Sequence, residues 1–251
     1  MRTLYIHQIY GLFEDGKSYM NNELFKESVM KWIYITTENN KNRDRLFNYQ
    51  YILWDKKKCD NLIDKYNEFK EMYENTRFKI MKCDIMRFLI LYHMGGIYAD
   101  MDIIPRINNL DFLYHDPDAV YVSKYVNKNT ENYDIEILSS FDKHNPLFYR
   151  FLKYIPSQIL EKNNIKVYEN WKIRYVFHTT GPHSFNRFIK NYDYPLKIIP
   201  LNTLSFEKGI TLNNYDKNLV QEYFNITFYS FYSLSYNDDI HAGKDKSYKK
   251  K

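Results

Sequence analysis

The chain has 251 residues, of which 44% are apolar and 18% aromatic, a composition that excludes an intrinsically disordered polypeptide and supplies a sizeable core. Its formal net charge of +5 suits an acidic ligand such as a nucleotide diphosphate, yet the charge is spread along the chain and ends in Lys249-Lys250-Lys251, which reads as a solvated tail. The two cysteines, Cys59 and Cys83, form no CxxC and read as free thiols, and no apolar run approaches the roughly 20 residues that span a bilayer. In chain order, Leu4 to Ile9 alternates as a first strand closed by Gly11. It is too short and too polar for a secretory leader, so a soluble, cytoplasmic protein is expected, with the Asn225-Ile226-Thr227 sequon left unmodified. Asn22 to Tyr34 carries Leu24, Phe25, Ser28, Val29 and Trp32 at helical spacing. Tyr49 to Trp54 reads as a second strand with Asp55 capping the next element, and Cys59 to Tyr73 as one helix with a stripe of Leu62, Ile63, Tyr66 and Phe69. Further on, Ala119 to Val126 and Ile135 to Phe141 read as strands, and Pro146 to Leu160 as a helix that Pro156 should kink or interrupt. Thr180-Gly181-Pro182 reads as a helix start with Pro182 at the first position. Leu196 to Ile199 and the aromatic stretch Ile226 to Tyr236 complete the strands. Without repeats or a Gly/Ser- or Pro-rich linker, residues 1–251 are expected to form one α/β domain with a mostly parallel sheet flanked by helices.

The stretch from Met81 to Ile104 carries the chemistry. Met81, Ile85, Phe88, Leu89 and Tyr92 form an apolar helical stripe ended by Gly95-Gly96. A strand over Ile97 to Ile104 would place Tyr98, Asp100 and Asp102 on one face, the two carboxylates about 7 Å apart by strand geometry. Two like charges so placed repel each other, and a divalent cation relieves the repulsion. Oxygen-only ligands select hard ions such as Mg²⁺ or Mn²⁺, which keep coordination positions for phosphate oxygens. A solvated strand end explains the same two carboxylates without any ligand.

The block Cys83-Asp84-Ile85-Met86-Arg87 through Gly95-Gly96-Ile97-Tyr98-Ala99-Asp100-Met101-Asp102 resembles the signature of DXD-containing sugar transferases, the Och1-like family 32 enzymes, to which the large clostridial glucosylating toxins are distantly related. Ile6-His7-Gln8-Ile9-Tyr10-Gly11, Leu53-Trp54-Asp55, Thr180-Gly181-Pro182 and His241 with Ser247-Tyr248 resemble further family segments in the same order. The resemblance implies a GT-A fold in which Asp100 and Asp102 hold Mn²⁺ or Mg²⁺ and the diphosphate of a UDP- or GDP-sugar. By the same carry-over, Asp84 and Arg87 contact the donor sugar or ribose, and Tyr98 lines the donor pocket. Tyr10 stacks on the base, and His241, Ser247 and Tyr248 close over the diphosphate. Tyr10 and Tyr248 stand where tryptophan is usual, which keeps a stacking face and loses an indole N–H.

The reaction implied is hexosyl transfer to a hydroxyl of a glycan, a lipid-linked glycan or a protein, with retention, with Asp100, Asp102 and Arg87 as its catalytic groups. A lipid-linked acceptor would add a peripheral membrane contact; no nucleic-acid partner is expected. Each residue also has a plainer reading. Asp84 and Arg87 form an i,i+3 ion pair that needs no ligand. His7 in a strand interior reads as a hydrogen-bonded core histidine, Trp54 as packing, and His178 and His183 as surface histidines or acceptor contacts. Two rival functions stay open at this level. One is another metal-dependent phosphate enzyme, which would usually add a third carboxylate or a phosphate loop; the other is a non-catalytic glycan- or nucleic-acid-binding module.

Overall fold

The computed structural model describes residues 2–12, 18–41, 46–105, 110–127, 130–163, 165, 172–192, 194–199, 201–203 and 228–230. Strands β1 (Thr3–Ile9), β2 (Asn48–Trp54), β3 (Gly96–Ala99), β5 (Val120–Asn127), β6 (Thr130–Ser140) and β7 (Leu196–Ile199) form a six-stranded sheet in the order β2-β1-β3-β6-β5-β7. Pairs β1–β2, β1–β3 and β5–β7 are parallel, while β6 is antiparallel to both β3 and β5. Only β6 therefore runs against the common direction. The α/β class expected from the sequence, with a mostly parallel sheet flanked by helices, is the class observed. A second sheet of β4 (Ile103–Pro105), β8 (Leu201–Thr203) and β9 (Phe228–Ser230) stands beside it.

Each face of the large sheet has its own core. On one, Leu4, Ile6, Ile97, Ala99 and Ile137 pack with Trp32 and Ile35 of helix α1 (Glu23–Lys41). On the other lie helices α2 (Lys56–Ile63), α3 (Asn67–Glu74), α4 (Ile80–Met94), α5 (Pro146–Asn163), α6 (Lys172–Thr179) and α7 (Pro182–Lys190). Their side of the core is built largely from rings, with Phe88 4.5 Å from Phe151 and 5.4 Å from Phe185. Nearly every α4 side chain from Ile80 to Leu91 is buried, because this helix lies between the sheet and the other helices.

Several sequence expectations are corrected. The helix expected over Cys59 to Tyr73 is two, α2 and α3, broken at residues 64–66; the apolar stripe stays in phase across the break, so periodicity alone could not see it. Asp55 caps α2 as expected, accepting from Lys58 N at 2.8 Å. Helix α1 runs past Tyr34 to Lys41, since Ile35 and Thr36 extend its buried face and Asn40 ties its end to β2 through both polar atoms of the Tyr49 backbone. Helix α5 continues through Pro156 to Asn163. Burial of Phe151, Leu152, Ile155 and Gln158 outweighs the roughly 3 kcal/mol that an internal proline costs. Cys59 and Cys83 are both buried, and both thiols are free. Pro182 opens α7 as expected. Of the stretch Ile226 to Tyr236 only Phe228–Ser230 falls within the described residues.

The glycine pair after α4 is required. Gly95 (φ +68°) ends the helix, and Gly96 (φ +90°) enters β3 so close to β1 that a Cβ there would sit 2.2 Å from the Tyr5 carbonyl oxygen. This contact sets the height at which β3 begins, and with it the place where Asp100 emerges.

Candidate functional site

The strand expected over Ile97 to Ile104 ends at Ala99. Asp100 N still donates to Glu136 O (2.8 Å) on β6, and Ile103 N then donates to Asp100 O (3.0 Å), closing a turn over Met101-Asp102. Ile103–Pro105 leaves the large sheet and pairs with β9 instead. The two aspartates thus stand on a turn at the carboxyl end of a sheet strand, where open α/β sheets bind ligands, and not on one strand face.

The turn is pinned from both sheet neighbours and from α1. Gln8 Nε2 donates to Asp100 O (3.0 Å) and to Ser28 Oγ (3.0 Å), while Gln8 Oε1 accepts from Tyr51 (2.8 Å). Ser28 Oγ (2.7 Å) and Trp32 Nε1 (3.1 Å) both donate to Ile103 O. Sequence reading took Ser28 and Trp32 as members of an apolar stripe and gave Gln8 no role; nothing local marks a side chain that will bond a backbone some 70 to 90 residues away.

Asp100 is held by both carboxylate oxygens. Tyr98 Oη donates to Oδ1 at 2.6 Å and Arg87 Nη1 to Oδ2 at 3.1 Å, leaving the side chain partly exposed. Arg87 Nη1 also donates to Ile135 O (2.8 Å), Nη2 pairs with Asp84 Oδ1 (3.1 Å), and the guanidinium lies 5.0 Å from the Tyr98 ring centroid. Its Nε–H is buried without an acceptor among the described residues. Asp84 Oδ2 in turn accepts from Thr180 Oγ1 (2.7 Å). Burial pushes the Asp84 carboxyl up to about 6 against the opposing pull of Arg87 and Thr180. Asp84, Arg87 and Tyr98, expected to reach a donor, are therefore all buried and engaged with one another.

Asp102 is buried, and burial with the neighbouring Asp100 charge raises its carboxyl to about 7; Arg87 opposes the rise. A third carboxylate, Asp134, belongs to the same electrostatic group. Asp134 lies on β6, the antiparallel neighbour of β3, and burial together with the Asp100 charge raises it to about 6. Its Oδ1 accepts from Ile135 N at 2.7 Å. Sequence reading began the β6 strand at Ile135, one residue too late to include it, and only the register between distant strands brings it to the site.

These groups fit a divalent cation. Negative charge gathers at one strand end with the Arg87 guanidinium as its near counter-charge, and buried carboxylates held partly protonated gain from a cation. Among the described residues no three His, Cys, Asp or Glu side chains converge as a metal-holding group. An ion held here would complete its shell with phosphate oxygens and water, as Mg²⁺ and Mn²⁺ do.

Of the other expected residues, some have ring or hydrogen-bond partners of their own and some lie outside the described residues. Tyr10 is buried in an aromatic corner, 6.0 Å edge-on from both Tyr19 and Phe25. His7 is a fully mated core histidine, as read from the sequence: Nδ1 accepts from Trp54 Nε1 (3.1 Å) and Nε2 donates to Gly95 O (2.9 Å). His178 lies against Arg187 (3.0 Å), and His183 is exposed beside it, the rings 4.7 Å apart. His241, Ser247 and Tyr248 lie outside the described residues.

Residues 26–119 match the family model described as a glycosyltransferase sugar-binding region containing a DXD motif. The chain is 26% identical over 202 residues to a mannosyl phosphorylinositol ceramide synthase of Saccharomyces cerevisiae, a match covering 79% of this chain and 45% of the relative. It is 39% identical over 56 residues to inositol phosphoceramide mannosyltransferase 1 of Schizosaccharomyces pombe, covering 22% of this chain and 18% of the relative. Among solved structures, PaToxG glycosyltransferase aligns with 16% identity and a TM-score of 0.44, over 76% of this chain and 69% of its own. The matched segments thus span less than half the length of these two curated relatives. The cytoplasmic placement expected from the sequence is overturned by the same relatives, whose names put their substrate in a ceramide, a membrane lipid. No helix among the described residues is long and apolar enough to cross a membrane, which does not by itself assign a compartment.

Proposed function

We propose that this chain, whose residues 26–119 match the DXD-containing glycosyltransferase model, moves a hexosyl group from a UDP- or GDP-sugar to an acceptor hydroxyl, with net retention, within one domain. The observation that carries this reading is the turn at the end of β3, where Asp100 is clamped between Tyr98 and Arg87 beside the buried Asp102. Asp100 and Asp102 would hold Mn²⁺ or Mg²⁺, which when bound neutralises a diphosphate and favours its departure. Arg87 orients Asp100 through its Nη1 contact to Oδ2. Asp84 fixes Arg87. The bond between the sugar C1 and the diphosphate oxygen breaks, the acceptor oxygen bonds to C1, and the acceptor proton passes to the departing diphosphate. Tyr10, His241, Ser247 and Tyr248 enter as donor contacts on the strength of the resemblance.

The acceptor we propose is a glycolipid or a lipid carrying a polyol headgroup, met at a membrane surface. Two relatives named for inositol phosphoceramide support it, as does the net charge of +5, which suits an anionic lipid surface. The test is turnover of a panel of UDP- and GDP-hexoses with Mn²⁺, comparing phosphoinositol lipid in mixed micelles with soluble oligosaccharide. Indifference to a chelator, or full activity of Asp102→Asn, would remove the metal-assisted mechanism. Faster transfer to the oligosaccharide would remove the lipid acceptor. Release of inorganic phosphate or pyrophosphate instead of nucleoside diphosphate would favour a different metal-dependent phosphate enzyme.

A further inference from the structure

A hydrogen-bonded line runs from a helix–helix turn on one side of the domain to the turn that carries Asp100. Thr180 Oγ1 to Asp84 Oδ2 is 2.7 Å, Asp84 Oδ1 to Arg87 Nη2 is 3.1 Å, and Arg87 Nη1 to Asp100 Oδ2 is 3.1 Å. Thr180, Asp84 and Arg87 are all buried, the threonine completely. We infer that Thr180 is a positioning residue for the transferase site, acting through Asp84 and Arg87 on the carboxylate of Asp100. This inference rests on the reading of Asp100 given above and adds to it a residue 80 positions away in the chain.

The geometry selects this role over a purely local one. A threonine at a helix end ordinarily turns its hydroxyl back to a carbonyl one turn earlier. That carbonyl is present, Val176 O, but at 3.5 Å it is at the margin of a hydrogen bond, whereas Asp84 is at 2.7 Å. The hydroxyl has one proton, and the short contact to a carboxylate takes it. The backbone is shaped to deliver it. Thr180 N and Gly181 N both donate to Val176 O at 3.0 Å, and a Cβ on Gly181 would sit 2.9 Å from Phe177 Cα, so the turn folds tightly onto the end of α6. The branched Cβ limits the χ1 rotamers open to Thr180, which favours holding the hydroxyl on Asp84.

The consequence concerns Arg87. Its two Nη groups serve two carboxylates and the Ile135 carbonyl. With Oδ2 turned to Thr180, Asp84 presents Oδ1 to the guanidinium, and in that arrangement Nη1 reaches Asp100. Without the threonine hydroxyl, Asp84 is free to turn and take Arg87 through both oxygens, the bidentate geometry that the pair prefers. The guanidinium would then turn toward Asp84, loosening its hold on Asp100 and on the orientation of that carboxylate.

Thr180→Val removes the hydroxyl and keeps the shape, while Thr180→Ser keeps the hydroxyl and loses a methyl. Three measurements separate the roles: binding of Mn²⁺ with UDP and with GDP by titration calorimetry, kcat and KM for the turned-over UDP- or GDP-hexose, and the melting temperature. The expectation for Thr180→Val is Mn²⁺–nucleotide affinity and kcat/KM both lower by about tenfold, the scale of one charge-assisted or outer-shell hydrogen bond. Thr180→Ser should recover most of both, even though it melts lower than wild type for want of the methyl. A structural role alone predicts the reverse pattern, in which melting falls but affinity and kcat/KM per folded molecule stay at wild-type values in both variants; that result overturns the inference and leaves the reading of Asp100 standing. If the wild-type protein binds no Mn²⁺–nucleotide and turns over no nucleotide-sugar, the reading of Asp100 falls, and the inference falls with it.

Discussion

Two polar centres lie side by side in the large sheet, and they are opposites. His7 on β1 and Tyr98 on β3 are register partners. Around His7 every polar atom is mated: Trp54 donates to one ring nitrogen, Gly95 O accepts from the other, and burial lowers the imidazole to about 4, so that it stays neutral. Around Asp100 the groups are also hydrogen-bonded, but the charge does not balance. Asp102 and Asp134 are pushed up to about 7 and about 6 by burial and by the Asp100 charge, with the Arg87 guanidinium opposing. A buried polar group whose partners are all internal belongs to the architecture. A cluster of like charges at the turn after a strand is what the proposed cation would neutralise.

The sharpest way to break this contrast is Asp102→Asn. Transfer with Mn²⁺ should fall on the order of a thousandfold, as a metal interaction worth several kcal/mol in the transition state is lost, while the protein still folds; nucleoside diphosphate release measures the first and circular dichroism the second. The complementary change at the closed centre, His7→Ala, should cost stability instead of chemistry. It strands Trp54 Nε1–H and Gly95 O and opens a cavity, about 3 kcal/mol in all, read from the denaturant midpoint, with kcat per folded molecule unchanged. A large loss of kcat with little loss of stability would reverse the two assignments.

The smallest effect is a pH dependence. Because the Asp102 carboxyl titrates higher in the folded state than unfolded, the folded metal-free protein binds the extra proton between about pH 4 and pH 7. Its contribution therefore falls as pH rises through that window and levels off above it. Asp102→Asn lacks this loss, so the variant should gain on the wild type as pH rises across the window, measured by denaturation of both at each pH. His7 acts in the opposite direction, its stability being lost as pH falls below its ordinary value, but it is common to both proteins and cancels in the difference. Saturating Mn²⁺ with nucleotide should invert the order above pH 7, since the ion uses the ionised carboxylate. A flat difference would mean that neither burial nor the Asp100 charge raises the Asp102 carboxyl.

Much of the site was legible. Gly95-Gly96, the preceding apolar helix, the two aspartates, the Asp84–Arg87 spacing, the Asp55 cap and the mated His7 all follow from short-range rules. The misreadings share one cause. A strand that leaves its sheet after Ala99, a helix that breaks at 64–66 without losing phase, and a proline carried inside α5 are choices made by distant packing partners.

The order of helices and strands, the positive-φ pair that ends α4 and the presence of two carboxylates two residues apart were determined by the sequence itself, because each depends on side-chain volume, backbone freedom or periodicity within a few residues. Tertiary structure alone decided that those carboxylates sit on a turn, that Asp134 joins them, that Gln8, Ser28 and Trp32 hold the turn, and that Thr180 reaches Asp84. Charge balance and desolvation depend on which remote segments cover a group, and strand register and helix packing set that.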